Sequence, residues 1–484
     1  MAERGGCLLG LDLGTTSLKA GLFGLDGTTI AIADRGYPTH RPAPGHVEQA
    51  PADWLAALDG VLGDLLAKHE GDVLGGSICS QVQTHVFVDA AGMPVAPAIT
   101  WQDSRAEAEA AELDAAVTPG ERRLWWADAM AVNATHTLPR MLWMSRHRPD
   151  TWARTYKVLS PKDFCLRHLT GRWSADPLGC FDLVDRTGAY VTRLIARVAG
   201  AAERLPALAW PRDPMGMATH PRFGGRAVPF VCGTMDAWAG LFGSGAAEPG
   251  AGAYFSGTSE IVMLIDDKPG GAPGVVSFIP LDGWHVHAGP TQSGGDTLRW
   301  IAAMFGRSIE QTLAAAAAAD ENADIVFLPH LGGERAPLWD PHARGTFLGL
   351  TGATGFPEMA RAALEGVACS GEMLFAAAAS AAGRAYPVLH LGGKGALSDL
   401  WAQIRADILR TRLRRTDCLD NGIIGAAILA DSAGGDLGSV REAAARMVRI
   451  DREFLPDPAR AERSARLRQR YRTAYETLRP YYRG

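Results

Sequence analysis

The stretch CLLGLDLGTTSLKAGLFGL, residues 7–25, decides the fold because it reads as two apolar strands joined by a short hydroxyl-rich turn. Cys7–Leu13 gives the first strand and Leu18–Leu25 the second. Asp26-Gly27 is then a strong two-residue hairpin signal before a third strand-like run, Thr28–Ala33. The chain therefore opens with a predicted three-stranded antiparallel meander.

The turn between the first two strands, Gly14-Thr15-Thr16-Ser17, has the composition of a phosphate-binding turn. A glycine lets backbone N–H groups approach an anion closely, and the three hydroxyls add hydrogen-bond donors. Asp12 lies beside these donors and would repel a phosphate unless Mg²⁺ lay between them. The pattern therefore indicates a magnesium nucleotide. Because the sequence has no Walker A spacing, ATP would bind without a P-loop.

A second small turn, Ser256-Gly257-Thr258-Ser259, joins two strand-like runs, Ala251–Tyr254 and Ile261–Ile265, in the second half of the chain. Two explanations stay open at this point. The chain could contain a duplicated α/β domain with one phosphate turn in each half, or a common turn could recur by chance. Glu248-Pro249-Gly250 offers the natural boundary, which predicts an N-terminal domain over residues 1–247 and a C-terminal domain over residues 248–484.

Hydrophobic spacing and start signals predict the remaining elements. The predicted helices are Asp53–His69, Ala106–Asp114, Pro139–His147, Ala237–Gly245, Pro357–Ala382, Leu397–Leu409 and Gly422–Ala433. The predicted strands are Val228–Cys232, Ile325–Leu328 and Val388–Leu391, with a strand pair or a strand plus loop over Ser77–Asp89. The Arg-rich C-terminus carries Leu467, Tyr471, Tyr475 and Leu478 at helical spacing, which favours a docked terminal helix over a nucleic-acid-binding arm.

Composition excludes several classes of protein. The 484 residues include 48 Lys+Arg and 53 Asp+Glu, and a net charge of −5 offers no general field for nucleic acid or anionic lipid. Seven widely spaced cysteines without a CxxC pair argue against a disulfide framework and against a zinc site. The first residues do not read as a secretory signal, and no apolar run approaches the ~20 residues of a membrane helix. A cytoplasmic location is therefore expected.

Six blocks of this sequence, in order along nearly the whole chain, resemble the FGGY carbohydrate kinases of the actin-like ATPase superfamily. They are residues 9–23, 44–58, 97–106, 136–173, 332–370 and 390–409. The resemblance implies two actin-like (ribonuclease H-like) α/β domains with an interdomain active cleft. It also implies that the sugar binds mainly to the first domain and the nucleotide mainly to the second, with ATP and Mg²⁺ as cofactors.

The resemblance implies a catalytic base at Asp236, in CGTMDAWAGLFG, which would take a proton from the attacking sugar hydroxyl. From its position between a strand and a helix alone, Asp236 would be a helix N-cap. Metal binding is assigned to Asp12 together with Asp236.

The sugar is expected to contact the Gln83-Thr84-His85 loop, where xylulokinases carry Gln-Met-His, and Trp101, Asp103 and Asp236. Ordinary strand polarity is the alternative for Gln83, and a core position is the alternative for Trp101. Arg105 is expected to order the loop through a carboxylate.

The resemblance assigns ATP binding to both small turns and to two later segments. The residues are Gly14, Thr15, Thr16, Ser17, Gly257, Thr258, Ser259, Gly294, Gly295, Gly393, Lys394, Gly395, Ala396 and Ser398. Lys394 departs from the Gly-Gly-Gly-Ala run that the family has there. An isolated lysine is expected to point to solvent.

Within the family the pattern is closest to the xylulokinases, so a ketopentose such as D-xylulose is the expected substrate. The alternatives are another ketose or a polyol such as erythritol, glycerol or a pentitol. Glycerol is less favoured, since the Gln83-Thr84-His85 loop lacks the Arg-Glu pair of glycerol kinases. A non-catalytic actin-like sugar-binding protein is the alternative of another class, although it would need neither Asp12 nor Asp236. The expected partners are a small sugar or polyol and ATP, with no nucleic acid and no membrane; a homodimer is left open.

Overall fold

The computed structural model describes residues 6–67, 69, 71–126, 130–435 and 437–483. The chain divides into two compact units. The first unit contains the chain up to Gly245 together with Ile279–Asp282 and Asp420–Val448. The second contains Ala246–Phe278, Gly283–Leu419 and the chain from Arg449 onward.

Nineteen strands lie in the described residues. They are β1 (Cys7–Leu13), β2 (Ser17–Gly24), β3 (Thr29–Gly36), β4 (Glu48–Gln49), β5 (Val73–Ser80), β6 (Val86–Val88), β7 (Ala98–Ile99), β8 (Lys157–Leu159), β9 (Pro214–Thr219), β10 (Ala227–Val231), β11 (Gly252–Ser256), β12 (Glu260–Asp266), β13 (Val276–Ser277), β14 (His285–Pro290), β15 (Val326–Leu328), β16 (Thr346–Leu348), β17 (Val388–Gly392), β18 (Arg412–Thr416) and β19 (Ile450–Phe454).

Sixteen α-helices accompany them in the same part of the chain. They are α1 (Pro51–Leu66), α2 (Glu107–Ala116), α3 (Pro119–Trp126), α4 (Thr137–His147), α5 (Pro149–Arg154), α6 (Pro161–Thr170), α7 (Thr192–Ile195), α8 (Ala201–Arg204), α9 (Asp236–Gly243), α10 (Gly295–Met304), α11 (Ile309–Ala318), α12 (Phe356–Ala382), α13 (Asp399–Leu409), α14 (Asn421–Asp431), α15 (Leu437–Met447) and α16 (Ala461–Tyr482).

The first unit is built on a six-stranded sheet of order β3-β2-β1-β5-β10-β9. Strand β1 pairs with β2 antiparallel and with β5 parallel, and β10 is parallel to β5. The predicted opening meander is confirmed. Helix α1 covers one face of this sheet because Trp54, Leu58, Leu62 and Leu65 keep one apolar face, and all four are buried.

The second unit repeats this arrangement. Its sheet has the order β13-β14-β12-β11-β17-β18-β19, with β11 antiparallel to β12 and parallel to β17, which is parallel to β18. The strands β14-β12-β11-β17-β18 thus match β3-β2-β1-β5-β10 in order and direction. The two small turns join equivalent strands in the two sheets, so the duplicated α/β domain, and not chance recurrence, explains their similarity.

Two segments of the first unit, Ile279–Asp282 and Asp420–Val448, lie beyond the predicted division at residues 247/248. Residues 420–448 pack with the first unit, because the nearly all-buried helix α14 lies against β1 and α9. Small residues permit this contact: a Cβ on Gly425 would lie 1.7 Å from the carbonyl oxygen of Ala239, and one on Gly10 would lie 1.8 Å from that of Ile423.

Several predicted elements differ from the observed ones in their ends. The helix predicted over Asp53–His69 begins at Pro51 and ends at Leu66. The helix predicted over Leu397–Leu409 is divided into a 3₁₀ turn, Lys394–Leu397, and α13, because Ser398 caps the α-helix by accepting a hydrogen bond from the Trp401 N–H. The helix predicted over Pro357–Ala382 is α12, which begins at Phe356. By length and composition α12 could span a membrane, contrary to the expectation from apolar runs, although it is mostly buried in its unit as a core helix would be.

The C-terminal helix α16 docks as predicted. Leu467, Tyr471 and Tyr475 are buried in the core of the second unit. Its arginines form ion pairs with neighbouring helices; for example, Arg463 pairs with Glu365 at 2.8 Å and Arg472 with Glu372 at 2.7 Å. All seven cysteines are free, and six of them are buried.

Candidate active site

Three loops meet at the carboxyl edge of the first sheet, where β1, β5 and β10 end. The Gln81 N–H donates to the Leu13 carbonyl (3.0 Å), which ties the loop after β5 to the end of β1. The Ser80 N–H donates to the Thr234 carbonyl (3.3 Å), which ties it to the loop after β10. Ligands of α/β proteins bind at this kind of edge. The structure therefore gathers Asp12, the Gln83 loop and Asp236 in one unit.

Asp236 is the first residue of α9, and the N-cap position itself belongs to Met235. Its Oδ1 accepts a hydrogen bond from the Ala237 N–H at 2.7 Å, which fixes the carboxylate. Burial, and then repulsion from Asp12, raise the pKa of Asp236 to about 7. A carboxylate with a pKa near neutrality is suited to accept a proton at the pH of the cell.

Asp12 is the second carboxylate of this edge. Burial raises its pKa to about 6, although Lys19 acts in the opposite direction. Its Oδ2 lies so close to Gly422 that a Cβ there would be 2.4 Å away. Its Oδ1 is buried and has no hydrogen-bond partner in the described part of the chain. A buried carboxylate oxygen without a hydrogen-bond partner is a suitable ligand for a cation or an acceptor for a hydrogen-bond donor on a bound ligand.

Lys19 and Asp420 were not singled out in the sequence. Lys19 lies opposite Asp12 in the β1–β2 register, and its ammonium group forms an ion pair with Asp420, at the start of the segment that returns to the first unit. Only the fold brings these residues together, since 401 positions separate them.

The donor set fits Mg²⁺. Asp12 and Asp236 provide two hard oxygen ligands, and Mg²⁺ usually takes one or two carboxylates and completes its shell with water and phosphate oxygens. Among the described residues no cluster of three or more His, Cys, Asp or Glu side chains could hold a metal by itself. The two carboxylates therefore fit an ion that takes its other ligands from water and phosphate, and the described residues build no protein-only metal cage.

The Gln83-Thr84-His85 loop lies at the same edge, and its three side chains differ in burial and in their hydrogen-bond partners. Gln83 is half-buried and has a left-handed backbone (φ 53°). The Thr84 hydroxyl accepts the Trp101 N–H at 3.1 Å. The His85 ring is buried, with Arg140 donating to Nδ1 (2.9 Å) and Nε2 therefore donating to the Thr137 hydroxyl (2.9 Å). Burial lowers the pKa of His85 well below its usual range, so the ring is neutral.

Trp101 and Asp103 have different surroundings in the structure. Trp101 is 37% exposed, so the core alternative is wrong, and its indole N–H donates to the Thr15 hydroxyl (3.0 Å) of the first turn. Asp103 is buried and accepts hydrogen bonds from the Val47 N–H and from the Arg105 guanidinium. Arg105 is thus the loop-ordering partner that the sequence predicts.

Arg140 was missed in the sequence, yet it joins both predicted sugar-binding loops. Its side chain is fully buried. It donates to the carbonyl oxygen of Gln83, to His85, and to the carbonyl oxygens of Ile99 (3.1 Å) and Thr100 (2.5 Å). Burial lowers its pKa to about 9. The one available signal was an arginine in the apolar face of a predicted helix, where it needs buried acceptors.

In the second unit the predicted nucleotide residues converge on the turn after β11. The Gly295 N–H donates to the Gly257 carbonyl (2.9 Å), which places the first turn of α10 against this turn. Gly294 packs so tightly that a Cβ would lie 2.6 Å from the Cα of Ser259. Thr258 is exposed. Backbone N–H groups and a helix N-terminus together form a suitable surface for phosphate.

The later segment, residues 393–398, lies against the same turn. Gly393 has φ +83°, and a Cβ there would lie 2.5 Å from the Ser256 carbonyl oxygen. Lys394 is exposed, as expected. The Ala396 side chain is buried and the Ser398 hydroxyl caps α13, so these two residues shape the turn from within.

Comparison with known proteins identifies the family. Residues 7–243 match the FGGY family of carbohydrate kinases, N-terminal domain, and residues 252–433 match its C-terminal domain. The chain belongs to the FGGY family of carbohydrate kinases. As a member of this family it is a phosphotransferase that phosphorylates a sugar hydroxyl with ATP, and the predicted family, activity class and two-domain actin-like fold are confirmed.

Full-length relatives of the chain within the FGGY family have more than one named substrate. The chain is 31% identical to a xylulose kinase of Escherichia coli (strain K12), over 98% of this chain and 99% of that one. It is 27% identical to a gluconokinase of Bacillus subtilis (strain 168), over 89% and 88%. A solved xylulose kinase from Rhodospirillum rubrum, 27% identical, matches with a TM-score of 0.87 over 99% of this chain and 100% of that chain.

Proposed function

We propose that this FGGY kinase transfers the γ-phosphoryl group of ATP to a hydroxyl of D-xylulose or a closely related ketopentose. The observation that supports this substrate is the similarity to the Escherichia coli xylulose kinase over nearly the full length of both chains. The Gln83-Thr84-His85 loop at the carboxyl edge of the first sheet agrees with it, because a polyhydroxylated ligand needs both donors and acceptors.

Asp236 acts as the general base in this proposal. Its carboxylate takes the proton from the attacking sugar hydroxyl, and the sugar oxygen forms a bond to the γ-phosphorus. The bond from that phosphorus to the bridging β,γ-oxygen breaks, and its electron pair leaves with ADP. The pKa of about 7 supports this role, since the base must be ionised before the transfer and must hold the proton afterwards.

Asp12 and Asp236 would hold Mg²⁺ at the first turn. When bound, the ion neutralises charge on the phosphate oxygens. The unpartnered Oδ1 of Asp12 supports this assignment, and Lys19 supplies a further positive charge beside the same carboxylate. The N–H groups and hydroxyls of residues 14–17 would donate to the transferred phosphoryl group.

The sugar would lie against the exposed indole face of Trp101, within reach of the Gln83 side chain and of Asp236. Thr84, His85 and Asp103 make their contacts to protein atoms, so they support a role in setting the shape of this pocket. Direct sugar contacts from these three residues stay a prediction.

The nucleotide would bind the second unit at residues 257–259, 294–295 and 393–398, with the triphosphate toward the 257–259 turn. We also infer a cytoplasmic location, because the seven cysteines are free and the reaction uses ATP. A homodimer stays a prediction that sedimentation would test.

The test is a screen of ADP release over ketoses, aldoses, sugar acids and polyols, each measured with and without the acceptor. We expect D-xylulose or another ketopentose to give the highest kcat/KM. A pentitol, a tetritol or gluconate turned over far faster would overturn the substrate and leave the kinase assignment intact. Failure of every acceptor to raise ADP release would instead favour the non-catalytic alternative.

A further inference from the structure

A fully buried arginine, Arg405, lies beneath the two nucleotide turns of the second unit. It extends from α13, and its Nη2 donates to the Ser256 hydroxyl (2.6 Å) and to Glu260 Oε1 (3.0 Å). Its Nη1 donates to the Gly395 carbonyl (3.3 Å). Ser256 and Glu260 flank the 257–259 turn, whereas Gly395 belongs to the 393–396 turn. One guanidinium therefore joins the two turns.

The surrounding backbone leaves little room for these turns to move independently. A Cβ on Gly395 would lie 2.0 Å from the Ser256 hydroxyl, and one on Gly393 would lie 2.5 Å from the Ser256 carbonyl oxygen. Ser256 in turn donates to Glu260 Oε1 at 3.0 Å. The spacing between the turns is thus set at Ser256, which Arg405 holds.

The guanidinium plane is itself fixed by aromatic rings. Its central carbon lies 4.0 Å from the centre of a Trp401 ring and 5.7 Å from that of Tyr254. Both rings are buried, so the arginine is stacked in one orientation with its N–H groups directed at three acceptors. A lysine has a single nitrogen without a planar fork and could not satisfy the same acceptors in this geometry.

We propose that Arg405 is a positioning residue for ATP, which holds the 257–259 turn and the 393–396 turn at the spacing that one nucleotide requires. The proposal rests on the proposed function in placing ATP on these turns. Arg405 does not contact the nucleotide. Its effect on binding is indirect, because the phosphates and the adenosine of one ATP must contact both turns at the same time. Loss of the spacing between the turns therefore weakens nucleotide binding and leaves sugar binding unchanged.

The experiment compares Arg405→Leu with the double variant Arg405→Leu/Glu260→Leu. The single change leaves the Glu260 carboxylate buried without its cation, which should lower the Tm. The double change removes both charges and should restore most of the Tm that the single change loses. If Arg405 positions the turns, the double variant still shows a KM for ATP and a Kd for ADP raised by about tenfold or more, with the KM for sugar within about twofold.

Two further variants separate positioning from general stability. Arg361→Leu removes another buried guanidinium of the second unit, whose ion pairs are with Glu321 and Glu365 and not with either turn. It should lower the Tm without a selective effect on ATP. Arg405→Lys keeps the charge beside Glu260, so it should recover Tm without recovering the affinity for ADP.

A folded double variant with wild-type affinity for ADP would overturn the proposal, as would an equal rise in the KM values for ATP and sugar. Failure of the proposed function is distinguishable. If the wild type phosphorylated no sugar, calorimetric titration with ADP would still compare the same variants. If ADP did not bind the wild type at all, the assignment of ATP to these turns would fail, and the role of Arg405 with it.

Discussion

The two small turns join equivalent strands and each closes with one backbone hydrogen bond, but the first turn is one residue longer and the two have very different surroundings. In the first, the Gly14 N–H donates to the Ser17 carbonyl at 3.0 Å, and in the second the Gly257 N–H donates to the Ser259 carbonyl at 3.0 Å. Beside the first turn lies Asp12, a carboxylate whose Oδ1 has no partner in the described residues. Beside the second lies Glu260, whose carboxylate is paired with Arg405 at 3.0 Å.

The difference shows how a duplicated unit can acquire two roles. Burial raises the pKa of Asp12 even beside Lys19, and a buried carboxylate oxygen without a partner attracts a cation or a proton, which suits a reacting centre. Burial also raises the pKa of Glu260, and its Oε2 has no partner in the described residues, but Arg405 acts against that shift and holds the carboxylate beside its turn. Variants that remove the charges beside the first turn test this difference, and the Arg405 variants do the same for the second turn.

The largest effect is expected at Asp236. Asp236→Asn keeps the side-chain shape and removes the base, so kcat should fall by roughly 10²–10⁴ while the KM for ATP and for sugar change little. Steady-state kinetics on the best sugar give the measurement. Asp59→Asn, a change at a half-exposed carboxylate on α1 that pairs with Arg222, is the matched control and should keep wild-type kcat. A folded Asp236→Asn with near wild-type turnover would remove this residue from the reaction.

The next effect concerns the metal. Asp12→Asn removes one of the two carboxylates assigned to Mg²⁺, so the Mg²⁺ concentration for half-maximal rate should rise by about tenfold or more. Titration of activity with MgCl₂ at saturating ATP and sugar measures it. An unchanged Mg²⁺ dependence in a folded variant would show that Asp12 does not hold the ion.

A smaller effect is expected in the sugar pocket. His85→Ala removes a ring that contacts Arg140 and Thr137, and the Gln83 loop should lose its fixed position. The KM for the best sugar should rise by about tenfold, with the KM for ATP within about twofold. An unchanged KM for sugar would mean that the pocket lies elsewhere. Thr137→Val, which breaks only the hydrogen bond between His85 and Thr137, should raise the KM for sugar by a smaller factor.

The smallest effect is a dependence of stability on pH. The pKa of Asp236 is about 7 in the folded chain against 3.8 for an unperturbed Asp, so the folded state retains a proton that the unfolded state releases between these values. Stability contributed by this residue therefore falls as pH rises from about 4 to 7 and stays low above. Without Mg²⁺, Asp236→Asn should exceed the wild type in unfolding free energy by on the order of 1–4 kcal/mol at pH 8.

At pH 3.5 the contribution of residue 236 should differ little between the two proteins, because the Asp236 carboxyl is mostly protonated in both the folded and the unfolded wild type. Denaturant unfolding at the two pH values gives the comparison. An advantage of Asp236→Asn that did not grow with pH would contradict the raised pKa.

The sequence predicted what depends on neighbours along the chain. The meander over residues 7–33 followed from apolar runs and the Asp26-Gly27 turn, and both small turns followed from Gly, Thr and Ser next to strands. Asp236 could be proposed as the base because the family motif around it is local, and this role stays a prediction. The assignment of the other site residues to ligands stays a prediction, and the structure shows which of their side chains already contact protein atoms.

Residues whose partners are distant in the chain could not be found in this way. Arg140 contacts Gln83 and Thr100, and Arg405 contacts Ser256 and Glu260. Lys19 pairs with Asp420 across 401 positions. Each is an isolated basic residue in the sequence, where a solvent-exposed position is the ordinary expectation. Only the fold reveals their partners, which are buried acceptors for Arg140 and Arg405 and the half-buried Asp420 for Lys19.

The packing of Asp420–Val448 with the first unit affects how the chain folds during translation and where it can be divided into fragments. The ribosome releases this segment after nearly all of the second unit, so the first sheet remains without α14 until translation is almost complete. A fragment ended at residue 247 would carry β1 and α9 with an uncovered apolar surface, and we expect it to aggregate or to require a chaperone. Joining Asp420–Val448 to that fragment through a flexible linker would recover a soluble first unit.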